Sequence, residues 1–141
     1  MRSEAREFST CINNVVFDAI HYTPISGVPT LHGHTFRVSV CVHGQNLEKG
    51  WIIDFDVLRN VVEEVTLLLN HSVLVPSEDV GSVEFKGPFK VRVVEVSFIP
   101  TAENLALYIC RELRRRLDFL KEMKIVVEVE EGADNVGIAS C

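Results

Sequence analysis

The sequence predicts an α+β fold, a β-sheet with two helices on one face, and three observations carry that expectation. Residues 35 to 43, TFRVSVCVH, alternate strictly: Phe36, Val38, Val40 and Val42 share one side, and Arg37, Ser39, Cys41 and His43 the other. Two later segments change to helical spacing, one through Leu58 to Leu69 and one through Ala102 to Leu117. The order of elements then reads strand, strand, helix, strands, helix, strand, which segregates the helices to one side of the sheet. At 141 residues the chain is read as a single domain over 1–141.

Taken in order, Val15 to His21 is a strand, because Phe17, Ala19 and His21 share one parity. The strand over 35 to 43 follows, then the turn-like GQNLEKG and the short extended piece WIIDF. The first helix has Leu58, Val61, Val62, Val65, Leu68 and Leu69 as its apolar stripe, with Asp54 or Asp56 as its cap and Asn70 placed to end it. Residues 76 to 90 are polar, with a hairpin turn expected at KGPF, and Lys90 to Phe98 is a strand. Pro100 and Thr101 open the second helix, whose inward positions are Ala102, Leu105, Ala106, Ile109, Leu113 and Leu117. Lys124 to Glu131 reads as the last strand, stopped by Gly132. A thin layer of this kind leaves sheet edges and a second face in need of cover, which favours an oligomer.

Composition narrows the function classes. The 47% apolar content supports a real core, and no window approaches the roughly 18 to 20 apolar residues of a membrane span. The start MRSEAREFST is charged and has no apolar segment of the signal-peptide kind, so a cytoplasmic location is expected. Cys11, Cys41, Cys110 and Cys141 are widely spaced without a CxxC pair, and are expected to be reduced structural thiols. A net charge of −6 argues against a nucleic-acid surface. The one basic cluster, Arg111, Arg114, Arg115 and Arg116, reads as a solvated helix face.

The candidate site begins at TLHGHTF, residues 30 to 36. An HxH on a strand puts both imidazoles on one face, with backbones about 6 to 7 Å apart, so that His32 and His34 can converge on one metal ion; two ordinary turn histidines are the alternative. His21, at the end of the neighbouring strand, adds a third nitrogen. Three histidines with no obvious fourth protein ligand describe a catalytic zinc site open to water or substrate.

In order along the chain stand FDAIH (17–21), LHGHTF (31–36), GWIIDF (50–55), NH (70–71) and PTAEN (100–104). This set resembles the 6-pyruvoyltetrahydropterin synthase and 6-carboxytetrahydropterin synthase family, from Phe17 to the C-terminal strand. The resemblance implies a tunnelling fold, in which each subunit gives an antiparallel sheet with two helices packed on one face. Subunits close a barrel as a homotrimer, or two barrels stack as a homohexamer, with active sites between subunits. It implies Zn2+ held by His21, His32 and His34, and a lyase acting on the small pterin 7,8-dihydroneopterin triphosphate. Triphosphate would be eliminated to give a 6-pyruvoyl or 6-carboxy tetrahydropterin product.

By the same resemblance His71 is the acid/base near the side chain, although a helix C-terminal cap is its plainer reading. Glu130 matches the glutamate that grips the pterin ring, with Glu128 and Glu131 as alternative registers on an acidic strand end. Thr101 either approaches that ring or serves only as a helix N-cap. Glu103 and Asp54 read as helix-start carboxylates.

The chain departs from the family at two positions. Where the family has a nucleophilic cysteine, four residues before the first histidine of HGH, stands Val28. Some relatives place glutamate there and cleave dihydroneopterin as an aldolase does, and SGVPT (26–30) holds neither residue. Asn70 replaces the aspartate that precedes the catalytic histidine. Cys41 falls on the face opposite His32 and His34, so a substitute thiol would come from another subunit, with Cys141 on the C-terminal tail as the candidate. The alternatives to elimination are therefore aldolase-like side-chain cleavage, or a non-catalytic pterin- or purine-binding relative.

Overall fold

The computed structural model describes residues 6–24 and 27–141. Residues 1–5 of the charged start, and Ser26 of the 26–30 segment, lie outside the described residues. Among the described residues six strands form one sheet: β1 (Phe8–His21), β2 (His32–Gly44), β3 (Ser72–Pro76), β4 (Val93–Val96), β5 (Lys124–Glu131) and β6 (Asn135–Ser140). Their spatial order is β4-β3-β1-β2-β5-β6. Helices α1 (Phe55–Leu67) and α2 (Ala102–Arg116) cover one face, α1 over β1 and α2 over β5 and β6. Among the described residues no helix is long and apolar enough to cross a membrane.

The alternation read from β2 holds throughout, with Phe36, Val38, Val40 and Val42 fully buried under the helices. Leu58, Val62, Val65 and Leu69 meet them from the α1 side, while Leu68 turns outward and is partly exposed. Every inward position expected for the second helix is buried, from Ala102 to Leu117. Asp54, not Asp56, caps α1, accepting from the backbone N–H groups of Asp56 and Val57. That cap satisfies donors that have no partner within the helix.

The first strand is longer than expected and is bulged. Pairing runs from Ile12↔Val40 to Val15↔Val38, so β1 carries one extra residue there. Asn14, at φ 61°, absorbs it in the left-handed region that asparagine tolerates better than most residues. Inner positions are even up to Ile12 and odd from Val15 onward.

Three expectations need correction. The sheet is mixed and not antiparallel, because β3 runs parallel to both β1 and β4. The crossover through α1 returns the chain beside β1 in β1's own direction, as parallel pairing requires. No hairpin forms at KGPF: residues Ser77–Ser82 make a 3-10 turn, and the segment after it travels back so that β4 enters alongside β3. Lys124–Glu131 is not the last strand, since β6 follows it in an antiparallel pair with β5.

β6 escaped notice because its hydrophobic pattern is inverted. Val136 and Ile138 face outward and are exposed, while Gly137 lies beneath the start of α2. A Cβ built at Gly137 would lie 2.4 Å from the Glu103 backbone nitrogen and 2.5 Å from the Ala102 carbonyl carbon. Glycine is what lets the first turn of α2 approach the sheet this closely.

The thiols are not reduced. Cys11 and Cys41, directly opposite each other on β1 and β2, form one disulfide, and Cys110 of α2 holds Cys141 at the end of the chain in another. Sequence spacing could not show that the pairing register brings these atoms together. The bridges remove reduced thiols as a ground for a reducing compartment. The basic cluster also divides on inspection. Arg114 donates to the carbonyl oxygens of Leu120, Met123 and Cys141, and Arg115 and Arg116 pair with Glu112.

Each bridge closes a loop of 30 or 31 residues. Reduction is expected to lower unfolding free energy by about 2–4 kcal/mol per bridge, read as a shift of the urea midpoint with and without dithiothreitol. Thiol titration of the denatured, unreduced protein is expected to find no free cysteine.

Candidate metal centre

Pairing between β1 and β2 assembles the histidines. His21 lies directly opposite His32, and His34 lies opposite Ala19, so all three occupy the inner, helix-covered face. Their ligating atoms lie within 4.8 Å of one another. Phe17 and Phe36 stack beneath them, ring centres 4.9 Å apart, as an apolar floor. His21 is almost fully buried, whereas His34 is partly open and His32 exposed.

Hydrogen bonds fix two of the rings in the state a metal needs. His21 Nδ1 lies 2.7 Å from the Pro100 carbonyl oxygen, and His32 Nδ1 lies 2.7 Å from that of Thr30. A carbonyl oxygen only accepts, so both Nδ1 atoms carry hydrogen. In the neutral rings this leaves Nε2 as a lone pair on each, and the two Nε2 atoms face each other at 3.2 Å. Two lone pairs at that distance repel unless a proton on one nitrogen or a metal ion lies between them. The donor set therefore fits a metal ion, with backbone carbonyls orienting the ligand rings from behind.

Burial pushes the His21 imidazole below the ordinary histidine value, against the opposite pull of the Pro100 carbonyl and the Glu131 carboxylate. The neutral form so favoured is the one that ligates. Tyr22, next in sequence, donates to Asp79 at 2.7 Å and ties the 3-10 turn to the end of β1. Burial first, and Asp79 second, push its hydroxyl up to about 12.

Glu131 stands beside the histidines. Its Oε1 lies 3.0 Å from His21 Nε2 and 3.6 Å from His34 Nε2. The pleat of β5 decides this: Ile125, Val127 and Val129 face inward, and Glu131 continues their parity opposite Phe36. Glu130, opposite Arg37, and Glu128 take the outer face, pointing away from the histidines. Of the three acids the sequence left in competition, only Glu131 shares the metal face.

Thr101 caps α2, accepting from Asn104 N–H. It also lines a cavity of about 260 Å³ with His21, His32, Glu103, Glu131 and Asn135. Thr101 is thus the helix cap and also a lining residue of the cavity.

His71 is elsewhere. It follows α1 at φ 52°, is strongly exposed, and its N–H donates to the Asp18 carbonyl oxygen. Asp18 has the outward parity of β1, so His71 lies across the sheet from the histidine cluster. There it borders a second, largely apolar cavity of about 530 Å³ with Ile20, Leu31, Phe85 and Phe89. Val28 is 91% exposed in the β1–β2 connection. None of the four cysteines substitutes for a nucleophile there, Cys141 included, because all are in disulfides. Sequence reasoning missed Pro100 as the orienting carbonyl and Asp18 as the neighbour of His71; the only signal for Asp18 was an acid at an outward strand position.

Comparison with known proteins gives a consistent picture. Residues 11–140 match the family model described as 6-pyruvoyl tetrahydropterin synthase. A dihydroneopterin monophosphate aldolase of Pyrococcus furiosus is 35% identical over 101 residues, covering 72% of this chain and 71% of that protein. A 6-carboxy-5,6,7,8-tetrahydropterin synthase of Aquifex aeolicus is 29% identical over 111 residues, covering 73% and 68%. The crystal structure of 6-pyruvoyl tetrahydropterin synthase from Plasmodium vivax superposes with a TM-score of 0.81 at 24% identity, over 96% of this chain and 98% of that one. That likeness fixes the fold as a tunnelling fold.

The lowered His21 value has a sign. The unfolded chain takes up a proton at an ordinary histidine before the folded chain does, so the His21 contribution to stability is complete above about pH 6.5. It is lost as pH falls through the lowered folded value. Thermal midpoints of the metal-free protein, followed from about pH 7.5 to about pH 5, are expected to drop on acidification. In His21→Gln that part of the slope disappears.

Proposed function

The chain belongs to the 6-pyruvoyl tetrahydropterin synthase family, and from that premise we propose that it is a zinc-dependent lyase that cuts the C6 side chain of a 7,8-dihydropterin. His21, His32 and His34 hold the metal, and the convergence of their ligating atoms within 4.8 Å, with the His21 and His32 Nε2 atoms 3.2 Å apart, is the observation that carries this reading. Bound zinc supplies Lewis-acid polarisation of the side-chain hydroxyls, which lowers the cost of removing a hydroxyl proton.

Position 28 supplies neither the cysteine of the synthases nor the glutamate of the aldolases, so the ease of the first proton transfer favours one cleavage over the other. Elimination of triphosphate begins with a proton taken from carbon, a weak acid that demands a strong and well-placed base. Val28 offers neither thiol nor carboxylate, and no described cysteine is free to replace it. Retro-aldol cleavage begins instead with a proton taken from the 2′-hydroxyl. The C2′ carbonyl forms, the C1′–C2′ bond breaks, and its electron pair passes into the dihydropterin ring system. A proton then returns to C1′. The products are 6-hydroxymethyl-7,8-dihydropterin and a two-carbon aldehyde, which keeps any terminal phosphate.

Glu131 takes the place in this scheme that the sequence resemblance gave to Glu130. Its inward position lets it accept from the ring N–H and exocyclic amine of a pterin seated against Thr101 in the cavity. His71 exchanges protons with the side chain. Because it lies on the other face of its own sheet, it serves the metal centre of an adjacent subunit, so the working unit is a homotrimer or homohexamer.

A second reading, triphosphate elimination from 7,8-dihydroneopterin triphosphate, is favoured by the names of the family and of the Aquifex relative. One assay separates the readings. Zinc-loaded protein is incubated with 7,8-dihydroneopterin, its monophosphate and its triphosphate, and the products are resolved by mass. A two-carbon aldehyde or its phosphate is expected. Released triphosphate would establish the second reading, and binding without turnover would leave a pterin-binding protein. His32→Ala and His34→Ala are each expected to lose the metal, by elemental analysis, and at least about 100-fold of the rate.

A further inference from the structure

The amide at position 70 leaves His71 without a carboxylate next to it in sequence, and the structure supplies one from another strand. Asp18 Oδ2 lies 3.9 Å from His71 Nε2. The remaining groups of Asp18 tie it to the same turn: its N–H donates to Asn70 Oδ1 at 2.9 Å, and its carbonyl oxygen accepts from His71 N–H at 2.7 Å. Thr35 Oγ1 donates to Asp18 Oδ1 at 2.5 Å, turning Oδ2 toward the imidazole.

The turn is held from its other side as well. Arg92 donates to the carbonyl oxygens of Leu67, Leu68 and Asn70, which satisfies the end of α1 and fixes the residue before His71. Asn70 therefore acts as a backbone staple. Asp18 and His71 border the same 530 Å³ cavity, large enough for a substrate side chain. A separation of 3.9 Å is too long for a hydrogen bond, but rotation of an exposed imidazole closes it, and such contacts tighten when substrate binds.

We infer that Asp18 is the positioning residue of His71: its carboxylate accepts from Nε2–H, holds the ring in one tautomer and presents Nδ1 to the substrate. This rests on the proposed acid/base role of His71. Within that role it returns to the site the carboxylate that Asn70 does not provide.

The test is a double-mutant cycle on the zinc-loaded full chain, using Asp18→Asn, Asp18→Ala, His71→Gln and the double variant Asp18→Ala/His71→Gln. Each Asp18 variant is expected to lose about 10- to 100-fold in kcat with KM changed less than about threefold. The amide, which still accepts, is expected to lose less than alanine. Because Asp18 acts through His71, the double variant is expected to be no slower than His71→Gln alone. Equal kcat in wild type and Asp18→Ala, or additive losses, would overturn the inference.

A second measurement does not need turnover. The ring nitrogens of His71, identified by their absence in His71→Gln, are followed by 15N NMR above the histidine titration range. The wild type is expected to show a single Nε2-protonated form, and Asp18→Ala to move toward the averaged signals of free imidazole. If no substrate turns over, the functional reading fails, and this spectrum still decides the inference: an unchanged ring in Asp18→Ala overturns it.

Discussion

Everything at the metal centre depends on the register between β1 and β2. Side chains alternate with a period of two, so a slip of one residue would send His21 to the outer face while His32 and His34 stayed inside. The register is set where His21 meets His32, and it is maintained by a continuous buried row below: Phe17 against Phe36, then Val15 against Val38. The bulge at Asn14 is part of the same constraint. It changes the inward parity of β1, so that Ile12 and His21, nine residues apart, both reach the covered face. The hydrophobic core and the three imidazoles are thus one object, and the floor under the imidazoles is the stacked pair Phe17 and Phe36.

From that constraint the sheet divides the chemistry in two. The inner face gives a cavity at the N-terminal end of α2, with imidazole nitrogens, a carboxylate and the Thr101 cap in its lining. The outer face gives an apolar cavity with His71 and Asp18, beside β3 and the long return to β4. The two cavities share no lining residue. In the proposed reaction the metal-holding set and the His71 set would come from two chains. Exposed Val16, Ile20, Val136 and Ile138 on the uncovered face are consistent with such a neighbour.

Much of this was legible in the sequence where a local rule governs the outcome. The alternation in β2, the stripe of α2, the Asp54 cap and the HxH spacing all concern residues within a turn or a pleat of one another. Elements failed to read where their purpose lies elsewhere in the fold. β6 keeps Gly137 inward to admit α2, so its apolar residues point the wrong way for a pattern reader. Asn70 looked like the loss of a carboxylate, yet its side chain is occupied by the backbone of Asp18, 52 residues away.

The sequence by itself determined the α+β class, the two amphipathic helices, the core face of β2 and the identity of three histidines on adjoining strands. It did so because hydrophobic period and side-chain parity are properties of a short stretch of chain. Only the tertiary structure decided that Glu131 and not Glu130 borders the metal face, that the cysteines are paired, and that His71 stands across the sheet beside Asp18. Each of these turns on strand register or on contacts between distant segments. The energy that selects them comes from burying one face of the sheet under its helices, and no short segment carries that information.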